Sequence, residues 1–211
     1  MKLYTQFRSS ASFRVRIALN LKGLAYQPAP LALARGEHHE AAYRGVNPQE
    51  LVPALVDDGH VLTQSLAIIE YLEEQHPTPA LLPRDALGRA RVRSLSLLVA
   101  CEIHPLNNLR VLNYLRASLA QTEEGVTRWY RHWIAEGLSK LEKELARPGT
   151  GQFAHRDAPT MADCCLVPQI FNARRYQCDT APYPTVMRVF ERCMQLEAFQ
   201  RAQPSQQPDA Q

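Results

Sequence analysis

Three serines fall within four positions, Ser9, Ser10 and Ser12, directly behind a short apolar stretch and just ahead of an apolar-periodic run. A strand end that turns into a helix start presents unpaired amides and roughly half a positive charge, and the hydroxyls add further donors. Such a place suits an anion: a phosphate, a carboxylate or a thiolate. Phosphate is the weakest of the three, because no glycine occurs between Met1 and Lys22 and neither a G-x-G-x-x-G turn nor a P-loop can form. A thiolate would have to come from outside the chain. The first cysteine is Cys101, and Ala11 stands where a thioredoxin-like C-x-x-C protein carries sulfur. The local pattern alone is equally that of serines capping an ordinary helix.

A second set of residues could hold carboxylates. Arg8 leaves the strand end beside Ser9, Arg110 lies six residues past His104, and Arg175 ends a later helical run, with Arg174 as its alternate. A lone arginine is usually a surface charge, but three meeting at one cleft would make a dicarboxylate receptor, since guanidinium forks bind carboxylates bidentately. Arg14 and Arg16 are expected to brace the first helix against a neighbouring domain.

The elements that must position these residues change character along the chain. Lys2–Gln6 reads as a strand, and Ser12–Lys22 as a helix ended by Gly23. Tyr26–Leu33 reads as an edge strand because of Pro28 and Pro30, and His38–Arg44 as a short helix. Ala54–Asp57 and His60–Leu62 flank Asp58-Gly59, a strong two-residue hairpin signal. Ser65 then caps a helix with Leu66, Ile69 and Leu72 on one face. Three prolines (Pro77, Pro79, Pro83) mark a linker. Beyond it the pattern is helical: Ala86–Ile103 bending at Pro105 and continuing through Arg116, then Glu123–Ala146, a helix opened by the capping box Thr160–Asp163, and Tyr183–Leu196. The tail Gln203–Gln211 is expected to be disordered or draped. Residues 1–78 thus form an α/β domain, 79–85 a linker, and 86–211 an all-α domain.

Composition narrows the classes. A net charge of +3 over 211 residues, with basic and acidic side chains interspersed, is no nucleic-acid footprint. Five cysteines, odd in number and without metal-like spacing, predict no metal site; Cys164 and Cys165 read as small apolar helix residues. No apolar run reaches about 18 residues, so a cytoplasmic, non-membrane protein is expected.

The run SSASFRVRIAL resembles the signature of the zeta-class glutathione transferases, S-S-C-S-W-R-V-R-I-A-L, with Ala11 in place of Cys and Phe13 in place of Trp. LVPAL (Leu51–Leu55) resembles that family's cis-proline turn at Pro53. QSLAIIEYLEE (Gln64–Glu74) resembles its γ-glutamyl-binding segment, and APTMADCCLVPQIFNARRY (Ala158–Tyr176) its helical-domain capping box and the helix behind it. The resemblance spans nearly the whole chain. It implies a thioredoxin-like βαβαββα domain followed by an all-α domain, a homodimer, and glutathione as cofactor.

Position by position, the resemblance implies that Ser9 donates to the glutathione sulfur with Ser10 in support and Ala11 in the same turn. Gln64 and Ser65 would hold the γ-glutamyl carboxylate, the Val52 backbone would pair with the cysteinyl unit, and His38 would lie near the glycyl carboxylate. His104 and Asn108 complete the glutathione site, and His104 also belongs to the substrate site with Arg8, Arg110 and Arg175. Zeta enzymes isomerise cis-enediones from aromatic ring cleavage: a thiolate adds to the double bond, the resulting enolate permits rotation, and expulsion leaves the trans product. Ala11 and Arg110 favour maleylpyruvate, the product of gentisate cleavage, as the dicarboxylate substrate. The alternatives are maleylacetoacetate, one carbon longer, transfer of glutathione to electrophilic or α-halo acids, and a binding protein of the same fold without turnover.

Overall fold

The computed structural model describes residues 1–210, which divide into two compact units: Met1–Leu82 together with the C-terminal stretch from Met194 onward, and Pro83–Cys193. The first unit is built on a four-stranded sheet of order β2-β1-β3-β4. Its strands are β1 (Lys2–Thr5), β2 (Gln27–Pro30), β3 (Ala54–Asp57) and β4 (His60–Thr63). β1 runs parallel to β2 and antiparallel to β3, which pairs antiparallel with β4. Leu3 and Thr5 of β1 point into the core and Lys2 and Tyr4 out, the period of two that places a strand between a helical layer and a more open face. The hairpin turns on Asp58 and Gly59, both at positive φ, as a two-residue type I′ turn requires.

Helix α1 (Ser10–Leu21) and helix α3 (Ser65–Gln75) flank the sheet, and the short α2 (Ala41–Arg44) follows two 3-10 turns. α1 begins two residues earlier than the sequence pattern predicts, because Ser9 takes the N-cap position, and its Val15, Ile17, Ala18 and Leu19 are fully buried. β2 covers only Gln27–Pro30 of the predicted Tyr26–Leu33; two prolines remove ladder donors and leave it short.

The C-terminal stretch departs from the sequence reading, which placed it with the helical domain. Helix α9 (Glu197–Ala202) packs on α1 with Phe199 and Ala202 fully buried, and Asn20 Nδ2 donates to Ala198 O at 3.0 Å. The tail is ordered against the same unit: a 3-10 turn spans Pro204–Gln206, and Asp209 Oδ2 accepts from the Phe7 amide at 2.9 Å. A buried pair, Lys22 Nζ to Glu73 Oε2 at 2.8 Å, joins the ends of α1 and α3. Lys22 also donates to the carbonyls of His76 and Pro79, while Glu73 accepts from the amides of Leu81 and Leu82, so the first part of the linker is anchored here.

The second unit is helical: α4 (Ala86–Leu97), α5 (Leu109–Ala117), α6 (Glu123–Leu145), α7 (Met161–Arg175) and α8 (Pro184–Cys193). Between α4 and α5 the chain winds as a π segment, Leu98–Ile103, and then a 3-10 segment, His104–Asn107. Pro105 cannot donate into the α ladder, so the continuous helix predicted through Ile103 changes pitch there. α6 crosses this region so closely that a Cβ on Gly137 would lie 2.3 Å from Ile103, a fit open only to glycine. α7 opens on the expected capping box, with Asp163 Oδ2 accepting from the Thr160 amide at 2.7 Å and its hydroxyl at 2.9 Å. Among the described residues, no helix is long and apolar enough to cross a membrane.

Candidate active site

The turn from β1 into α1 is fixed from behind. Ser9 is in extended conformation as the N-cap, and its Oγ accepts from the Ser12 amide at 3.2 Å. A hydroxyl that accepts through oxygen keeps its own hydrogen for another acceptor, so capping and donation to an anion are compatible at Ser9. Ser10 is buried in the first turn of the helix, and Ala11 beside it brings only a methyl group. Ser12 Oγ is buried and without a hydrogen-bond partner among the described residues.

Two buried arginines hold this turn in place, and Arg16 does so partly through the C-terminal stretch, which the sequence reading assigned to the helical domain and which belongs to the first unit. Arg16 is fully buried and donates to Thr5 Oγ1, to the carbonyls of Gln6 and Phe7, and to Ala202 O. Burial lowers its pKa to about 10, still well above neutrality, so it remains a cation beneath the strand end. Arg14 reaches across to α3, its Nη1 donating to Ser65 Oγ at 3.2 Å.

That contact ties the first turn of α3 to α1. Gln64 is the N-cap of α3 at φ 68°, an uncommon backbone conformation for a residue with a side chain. Its Nε2 donates to Gln49 Oε1 at 2.7 Å. Ser65, buried in the first turn, accepts from Arg14 and retains its hydroxyl hydrogen. Gln49 had no signal in the sequence, being one glutamine in a loop. Arg14 was visible as a charged residue in an apolar helix, but not its link to Ser65.

The predicted cis bond lies at Val52–Pro53, just before β3, and a second cis bond, not foreseen, at Thr78–Pro79. His38 falls in the 3-10 turn Glu37–His39 rather than in a helix running to Arg44. Its Nδ1 is buried with no partner among the described residues, and burial, with His39 next in weight, pushes its pKa below the ordinary histidine value. His38 is therefore held toward the neutral form. The His39 ring packs against it at 3.8 Å between centroids and is hydrogen-bonded through Nδ1 to Glu50.

In the second unit, His104 begins the 3-10 segment, and Asn108 caps α5 by accepting from the Arg110 amide at 3.1 Å. Asn108 thus has its side-chain amide N–H groups left to donate, while Arg110 projects from the first turn of α5 as an exposed cation. Arg174 and Arg175 take different directions. The Arg174 guanidinium lies 4.4 Å from the centre of the Phe190 ring of α8, and that of Arg175 lies 5.1 Å from the Tyr176 ring. Arg8, in the first unit, is exposed with its guanidinium 4.8 Å over the Phe7 ring.

The donors of the first unit suit a tripeptide with two carboxylates and a thiol. Ser9 offers a hydroxyl hydrogen at one helix start, Ser65 another at the second, and His38 a buried ring nitrogen without a partner among the described residues.

Residues 3–80 match the glutathione S-transferase N-terminal domain family. The chain is 51% identical over its full length, and over all of the relative, to a protein of Ralstonia sp. named maleylpyruvate isomerase. Its structure matches, at TM-score 0.98 and 50% identity over the whole of both chains, the holo structure of a maleylpyruvate isomerase described as a bacterial zeta-class glutathione S-transferase. It also matches a maleylacetoacetate isomerase from Methylobacterium extorquens AM1 with bound malonate and glutathione, at TM-score 0.97 and 45% identity over both full chains. A four-stranded thioredoxin-like sheet followed by a helical unit is the glutathione transferase fold. The chain belongs to the zeta class of that family.

Proposed function

We propose that the protein is a glutathione-dependent isomerase that converts maleylpyruvate to fumarylpyruvate. The observation that carries the reading is Ser9, whose oxygen is engaged by the Ser12 amide while its hydrogen remains available at the mouth of α1. The full-length similarity to a protein named maleylpyruvate isomerase supports the choice of substrate.

When bound, glutathione supplies a nucleophilic thiolate that adds reversibly to the activated double bond. A free thiol has a pKa near ~8.5, and lowering it by two units takes about 2.7 kcal/mol of preference for the anion. Ser9, Ser10 and the α1 dipole supply that preference. Gln64 and Ser65 orient the γ-glutamyl end, the Val52 backbone pairs with the cysteinyl unit, and His38 donates to the glycyl carboxylate. His104 and Asn108, in the second unit, are assigned to glutathione by the family resemblance alone. Arg8 in the first unit and Arg110 and Arg175 in the second are each assigned to carboxylate binding, since a guanidinium fork takes a carboxylate bidentately and offsets negative charge as it develops. No strong acid is assigned to the site, because a cis–trans isomerisation that returns the thiol needs no net protonation of the substrate carbon.

A purified enzyme supplied with glutathione should turn over maleylpyruvate with no net consumption of thiol and release the trans isomer. Comparable rates with maleylacetoacetate would remove the distinction between the two substrates, and a stable accumulating conjugate would instead mark a transferase. The family also supports a homodimer in the cytoplasm; light scattering of the purified protein tests the assembly.

A further inference from the structure

Arg175 is not a free surface cation. Its Nη2 donates to the hydroxyl of the next residue, Tyr176, at 3.3 Å, and its guanidinium lies within cation–π range of the same ring at 5.1 Å. Tyr176 is itself held on two sides. Its ring stacks on Tyr130 of α6 with centres 3.5 Å apart and planes 9° from parallel, and Tyr130 is buried. Arg131, the neighbour of Tyr130, donates through Nε to Tyr176 O at 2.8 Å, closing the C-terminus of α7 onto α6. Arg174, one residue earlier, turns to Phe190 and takes no part in this stack.

We propose that Tyr176 is a positioning residue that presets the Arg175 guanidinium for a substrate carboxylate and so contributes to the selection of dicarboxylates. The inference rests on the substrate role given to Arg175 above. An arginine side chain carries large rotamer entropy, and one already held over a fixed ring by a hydroxyl loses less of it on binding. The hydroxyl matters separately from the ring, because phenylalanine would keep the stack on Tyr130 and the cation–π contact but not the hydrogen bond.

The test compares Tyr176→Phe, Tyr176→Leu and Arg175→Ala in steady-state kinetics, at saturating glutathione, with maleylpyruvate and with a cis-enone carrying one carboxylate. Tyr176→Phe should raise KM for maleylpyruvate about threefold, the loss of one modest hydrogen bond, and Tyr176→Leu about tenfold as the cation–π contact goes too. KM should move more than kcat, the monocarboxylate should be less affected, and glutathione affinity should hold. If Arg175→Ala raises KM while both Tyr176 variants keep the wild-type value, the positioning role is overturned and the role of Arg175 stands. If Arg175→Ala leaves KM unchanged, the substrate role of Arg175 falls, and the positioning role with it. Equal losses on both substrates through kcat would show a merely structural residue. Should Tyr176→Leu fail to fold, Tyr176→Phe decides alone.

Discussion

Arg14 of α1 donates to Ser65 Oγ of α3 across 3.2 Å in the buried interior of the first unit, linking the two helix starts assigned to the sulfur and to the γ-glutamyl carboxylate. Replacing Arg14 by methionine keeps most of the volume and removes the donor. Glutathione affinity should fall about three- to tenfold, less than the full worth of a charge-assisted hydrogen bond because the link orients Ser65 rather than touching the ligand. Calorimetric titration of the variant measures it; unchanged affinity would show that the link carries no orientation.

The Lys22–Glu73 pair should matter for stability and not for chemistry. Its charges are buried, and Glu73 also accepts from the amides of Leu81 and Leu82. Glu73→Ala leaves an ammonium buried without its partner, so urea unfolding should show a loss of about 3–5 kcal/mol. Replacing both residues together should cost less than the sum of the single changes.

Arg110 should discriminate by charge. Arg110→Ala should raise KM for maleylpyruvate more than for a substrate with one carboxylate, while glutathione affinity stays within about twofold, as expected when a group contacts only one ligand. Equal effects on the two substrates would remove Arg110 from the carboxylate receptor.

His155 gives a pH dependence with a defined sign. Arg91 Nη1 lies 3.3 Å from His155 Nδ1 and also donates to Ala154 O, and burial, followed by the charges of Arg91 and Arg156, lowers the His155 pKa from 6.5. The unfolded chain therefore takes up the proton first as pH falls below about 6.5, so this contribution to stability is full above that value and declines beneath it. Thermal melts from pH 8 to 5 should show the decline, and His155→Asn should flatten it.

The sequence made some of these features legible and not others. Asp58-Gly59 was enough for the hairpin because the turn type depends on two adjacent residues, and Thr160–Asp163 was enough for the start of α7. Helix α9 could not be placed, since Phe199 and Ala202 read as members of any short amphipathic helix and their partner α1 lies about 180 residues away. Ser9, Gln64 and Ser65 were singled out as candidates through resemblance to a family motif, whereas Arg14, Gln49 and Tyr176 depend on contacts made only in the folded chain. The direction of Arg175 against Arg174 likewise turns on side-chain packing, which a helical period cannot resolve for adjacent residues.

Ionisation of the borrowed thiol is proposed to depend on Ser9 at the start of α1. The direct measurement is a pH titration of ultraviolet thiolate absorbance for bound glutathione, in wild type and in Ser9→Gly, which keeps most of the capping ability but removes the hydroxyl. The expected result is a thiol pKa about two units below ~8.5 in wild type and about one unit higher in the variant. A bound thiol that titrates like free glutathione in wild type, or identically in both proteins, would contradict it.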